Sequence, residues 1–132
     1  MAVQLSVAVR NARLDAIETT IGATAVLKIR TGAAPADCAT ADSGTVLATI
    51  TCPADWAAAA ASGAKAKSGT WSDSSADATG TPGHWRLYES TGTTAGAQGT
   101  AAVGSGDLNF DGSITAGQVV TVSTFTLTDG NA

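Results

Sequence analysis

The sequence predicts a mainly β protein, an antiparallel sandwich or jelly-roll-like fold with an N-terminal helix and one short internal helix. Short stretches of period-two apolar alternation recur along the chain, with Gly, Ser, Thr and Pro turn signals between them. No strand–helix–strand rhythm is present, which argues against a parallel α/β sheet. The large side chains are also few: 28 of the 132 residues are Ala, whereas Val, Ile, Leu and Phe together number 23. With a net charge of only −4, this composition describes an ordered chain with a thin core rather than a disordered one.

The first element is a helix over Ser6–Ile21. Val7, Leu14, Ile17 and Ile21 recur at helical spacing among Arg10, Arg13, Asp15 and Glu18, and Gly22 ends the run. Either Ser6 or Asn11 serves as its N-cap. The helix covers one end of the β core or forms an arm that docks on a neighbouring subunit. The period then changes to two. Ala25, Leu27 and Ile29 alternate with Val26, Lys28 and Arg30, and a polar loop from Ala33 to Gly44 leads to a second strand over Thr45–Cys52.

Pro53 followed by Trp56 and the Ala run to Ala61 predicts the short helix, since Pro suits a first helical position and Ala has the best propensity. Lys67–Trp71 reads as a weak strand, and Ser72–Gly83 as a long loop. His84–Ser90 is a strand with Trp85 and Leu87 on one face and His84, Arg86 and Tyr88 on the other. Gln98–Val103 is an irregular strand of small residues. Gln118–Thr128 is the longest β pattern, and its apolar parity shifts between Val122 and Phe125, which predicts a bulge or bend near Ser123. The organisation is one domain over 1–132, with 1–22 as a helical arm and 23–132 as the sandwich.

Several functions are disfavoured by the same residues. No cluster of Lys and Arg offers a phosphate-binding surface, so nucleic acid is not an expected partner. No apolar run is long enough to cross a membrane, and no export signal is evident, so a soluble protein is expected. Cys38 and Cys52 are expected as free thiols. His84 is the only histidine, and no nucleophile motif accompanies it, so no enzyme activity is assigned. Loop carboxylates such as Asp73 and Asp77 have no aromatic sugar platform around them. No cofactor is expected. The best single motif is Asp107, Asn109 and Asp111 before Gly112, which matches the first positions of an EF-hand calcium loop. Gln118 stands where that loop needs a bidentate Glu, and helices do not flank it, so a metal is not favoured and calcium at these three residues would be structural.

Five stretches, LSVAVRNARLDAIETTIG (Leu5–Gly22), AVLKIRTG (Ala25–Gly32), KAKSGTW (Lys65–Trp71), GHWRLY (Gly83–Tyr88) and FTLTDGNA (Phe125–Ala132), together resemble small uncharacterised proteins encoded among the virion genes of tailed bacteriophages and prophages. The resemblance runs the length of the chain and contains no motif of known chemistry. It implies a virion protein assembled in the bacterial host cytoplasm. Its role would be capsid decoration or cement that stabilises contacts between major capsid proteins, with homo-oligomerisation. The alternatives are a tail, head-fibre or tail-fibre component contacting the host surface, or a carbohydrate-binding module. Arg10, Arg13, Trp56 and Trp71 are the expected interface residues.

Overall fold

A computed structural model describes residues 3–130. The first two residues of the N-terminal segment and Asn131–Ala132 of the closing stretch lie outside the described residues. Among the described residues the chain is mainly β, as predicted, with one helix and strands curled into a half-barrel. Helix α1 (Val7–Ile21) is capped by Ser6, whose hydroxyl accepts from the Val9 N–H at 3.3 Å, and ends at Gly22. Asn11, the other possible cap, instead accepts from the Gly63 N–H at 2.9 Å.

A five-stranded sheet runs in the order β2 (Val46–Thr51), β1 (Val26–Arg30), β5 (His84–Tyr88), β6 (Ala95–Val103), β7 (Leu108–Phe110). Its ladders are antiparallel except the last, where β6 and β7 are parallel. Two further pairs complete the half-barrel: β3 (Ala64–Ala66) with β9 (Thr126–Thr128), and β4 (Trp71–Asp73) with β8 (Val120–Val122). The predicted bend near Ser123 is the break between β8 and β9, which sends one chain segment to two different partners.

The register puts Leu27, Ile29, Ile50, Ala48, Trp85 and Leu87 on the inner face. They meet an aromatic centre. Trp56 and Trp71 pack edge to face at 6.1 Å, and Phe125 lies 5.1 Å from both Trp71 and Trp85. A chain poor in large aliphatics thus fills its core with indoles, each of which buries far more apolar area than an Ala. Their polar edges need partners, and two have them: Trp56 donates to the Gly22 carbonyl at 2.9 Å and Trp71 to the Ser68 carbonyl at 3.1 Å.

The predicted short helix over Pro53–Ala61 does not form. This segment is extended and bridges β3 and its neighbours, with Ala57 opposite Lys67 and Ala61 opposite Ala64. The Ala58 N–H donates to the Ala66 carbonyl at 2.8 Å, while the N–H groups of Ala57 and Ala60 donate to the carboxylates of Glu18 and Asp15 on α1. Ser62 and Gly63, both at positive φ, turn the chain back on itself rather than ending a helix. Ala's helical preference is a fraction of a kcal/mol per residue, and burial of Trp56 together with these long-range hydrogen bonds outweighs it.

The same carboxylates tie α1 to the body. Lys65, 2% exposed, bridges Asp15 and Glu18 at 2.8 Å each and donates to the Ala58 carbonyl at 2.9 Å. Burial pulls the Lys65 pKa down, but the hydrogen bonds and charges of Asp15 and Glu18 outweigh it and hold it above its ordinary value. Leu14 and Ile21 are buried beneath the helix and Ile17 packs half-buried against the core, so these residues fix α1 to the body while part of Ile17 stays at the surface.

Candidate functional site

Alternation on β5 puts His84, Arg86 and Tyr88 on the outer face of the sheet, where a polar strand would ordinarily meet water. All are buried, because the loop between β1 and β2 lies across them as a strap. Arg86 is the anchor. Its Nη1 donates to Asp42 Oδ1 at 2.5 Å and the Thr40 carbonyl at 3.1 Å; its Nη2 reaches the carbonyls of Asp37 and Cys38 at 3.0 Å each; its Nε donates to Gln98 Oε1 at 3.1 Å. The Tyr88 hydroxyl donates to Asp42 Oδ1 at 2.7 Å, and Arg30 Nη2 to Asp42 Oδ2 at 2.9 Å. The strap re-enters the sheet at Gly44, where φ is +71° and a Cβ would stand 2.1 Å from the Thr31 carbonyl oxygen.

Burial raises the Asp42 pKa, but hydrogen bonds from Tyr88 and Arg86 and the charge of Arg30 outweigh it, leaving the carboxyl below its ordinary value. Asp15, held down first by Lys65, and Asp37, held down by Thr40, shift the same way. Groups with depressed folded pKa values stabilise the fold above their unfolded pKa, and that contribution is lost as pH falls through the folded value. Stability is therefore expected to be level above about pH 5 and to fall below about pH 4, the ordinary carboxylate range. Urea midpoints measured from pH 2 to 7 check this, and a flat profile through pH 3 contradicts it.

His84 is fully buried, its Nδ1 2.9 Å from the Gly32 carbonyl oxygen. It packs beneath the strap at the C-terminal end of β1. Both cysteines are free. Burial pushes the Cys52 thiol up to about 12, whereas Cys38 is partly exposed on the strap. A disulfide reagent at pH 8 is expected to modify one thiol per native chain and both after unfolding. Rapid reaction of two thiols in the native state would contradict the burial of Cys52.

The calcium-loop motif folds differently from an EF-hand. Leu108–Phe110 is strand β7, so Asp107, Asn109 and Asp111 follow one another along an extended chain at about 6.8 Å per two residues and do not converge on one point. Asp107 Oδ2 accepts from the Thr100 N–H at 2.9 Å and its hydroxyl at 3.1 Å. The motif is β7 with its flanks, and Asp107 ties its start to β6.

The four expected interface residues divide. Trp56 and Trp71 are fully buried in the core and present no surface to a partner, which corrects that expectation. Their position in a core short of aliphatics explains their burial. Arg10 lies against Gly63 and donates to the Asp129 carbonyl at 3.1 Å. Arg13 is 60% exposed and pairs with Asp129 at 3.2 Å.

Arg13 also lines a groove of about 470 Å³ between α1 and the β5–β6 hairpin. Its walls are Ala16, Ile17, Ile21, Ala95 and Gly96, and Glu89 stands on the opposite rim. Glu89 is held in place by Thr91, Thr93 and Thr94, whose hydrogen bonds keep its carboxyl well below the usual range. Val9, 46% exposed, precedes Arg13 by one helical repeat and extends the same face. The sequence carried this surface as a second row on α1, Val9–Arg13–Ile17, beside the Leu14–Ile21 row. The groove's other wall is the small-residue strand β6, which has no periodicity to mark it.

No family model, curated protein or solved structure matches the chain.

Proposed function

We propose that this chain is a non-catalytic structural protein of a tailed-phage particle, a decoration or cement protein that binds the major capsid protein or a neighbouring virion protein through the α1 groove. The observation that carries the reading is that groove: an apolar floor of Ala16, Ile17, Ile21 and Ala95 within a charged rim of Arg13 and Glu89. An apolar centre with a polar margin is the anatomy of a protein contact. The five sequence stretches that resemble phage virion proteins supply the setting. Homo-oligomerisation and assembly in the host cytoplasm belong to the same proposal. The carbohydrate-binding alternative needs exposed aromatic faces, and Trp56, Trp71, Trp85, Tyr88 and Phe125 are all buried.

Quantitative mass spectrometry of purified particles from the encoding phage tests the role. The expected result is a copy number comparable with that of the major capsid protein. A few copies per particle would transfer the role to the tail or fibres, and absence from the particle would overturn the virion assignment.

A further inference from the structure

Strands β6 and β9 line a common seam of the half-barrel, and both of its margins are strand edges. On β9, the Phe125 carbonyl accepts from the Lys67 N–H at 2.8 Å and the Asp129 N–H donates to the Gly63 carbonyl at 2.9 Å, so the odd-numbered residues face β3. By the alternation of an antiparallel ladder, the backbone N–H and C=O groups of Thr126 and Thr128 face the other way. The opposite margin is β6. There the Ala101 N–H donates to the Gly83 carbonyl, and Gly99 and Ala97 stand opposite Trp85 and Leu87. The backbone groups of Gln98 therefore face the seam. Strand β7 joins β6 only from Ala101 onward, and β9 has β3 as its one ladder neighbour among the described residues.

Between these edges lies a cavity of about 270 Å³, floored by the Trp85–Phe125 contact. Gly99 lets the Trp85 ring and Asp107 pack directly against β6, since a Cβ there would stand 2.6 Å from both the ring and Asp107 Oδ2. The buried indole N–H of Trp85 has no hydrogen-bond partner among the described residues. Asp107 also lines a second cavity, of about 430 Å³, whose other walls include Asp111. Neither is lined by any Lys, Arg or His, so the seam combines unpaired backbone, an apolar floor and negative charge.

We propose that the seam is a strand-docking site for an extended, basic peptide segment of a partner protein. The peptide adds to the free edge of β9 by main-chain hydrogen bonds to Thr126 and Thr128, sets small apolar side chains against Ala97 and Leu127, and places a Lys or Arg near Asp107 and Asp111. Charge decides against a second copy as occupant: the chain's net charge is −4, and two seams would bring carboxylates together.

The test uses the full chain and an array of acetylated, amidated Val/Thr-alternating heptapeptides carrying Lys at successive positions, with Glu-substituted peptides as controls. Lys peptides are expected to bind, to slow hydrogen exchange at the amides of Thr126, Thr128 and Gln98, and to outbind the Glu series. Asp111→Lys should weaken binding about tenfold, the size of effect typical of a charge at an interface rim. Thr126→Pro removes an edge N–H without touching the β3 ladder and should abolish binding. No binding anywhere in the array, equal binding of the Glu series, or protection at other amides overturns the proposal. Dimerisation of the free chain that Thr126→Pro abolishes would overturn it in favour of a second copy.

Discussion

Replacing Arg86 with methionine is expected to lower the unfolding free energy by about 3–5 kcal/mol, the cost of removing one partner from a buried ion pair. The guanidinium is 2% exposed and satisfies Asp42, Gln98 and three strap carbonyls at once. Methionine fills much of the volume but removes the donor to Gln98 and the strap carbonyls and leaves Asp42 with only Tyr88 and Arg30. A domain of this size has a net stability of roughly 5–15 kcal/mol, so the loss is a large share. Urea unfolding of the two proteins measures it. Arg86→Lys keeps the charge but lacks the planar fork that reaches five acceptors, and should fall between them. A change under about 1 kcal/mol for Arg86→Met, within the range of exposed pairs, would show that the strap is held by other contacts.

Truncating Trp71 to alanine is expected to cost a similar amount, about 3–5 kcal/mol, for a different reason. Its ring is fully buried between Trp56 and Phe125, and the loss opens a cavity at the point where the β4–β8 and β3–β9 pairs meet the five-stranded sheet. Few aliphatic side chains are available to collapse into that space. Thermal unfolding followed through near-ultraviolet circular dichroism checks it. Preservation of the wild-type transition would contradict a core centred on the indoles.

What could be read from the residues tracks how local the forces are. Strands β1, β2 and β5 are legible because period-two alternation marks their inner faces, and α1 because Gly22 stops a helical repeat. The break at Ser123 was legible as a change of parity. Pro53–Ala61 was misread because its hydrogen bonds run to α1 and to Ala64–Lys67, partners that no window of sequence contains. Trp56 and Trp71 were read as contact residues for the same reason: an indole looks alike at an interface and in a core until its neighbours are known. On β5 the alternation gave the correct faces, yet the strap buries both. The groove was half legible, through Arg13 on α1, and its second wall was hidden in the small residues of β6.

The proposed role makes this half-barrel a virion building block seated through α1. The most direct test is a cryo-electron microscopy map of the particle whose genome encodes it. The account predicts the half-barrel spread over the capsid shell, with Arg13, Ile17 and Ala95 against a neighbouring subunit. Density confined to the tail or fibres, or a shell position with the α1 groove open to solvent, would contradict it.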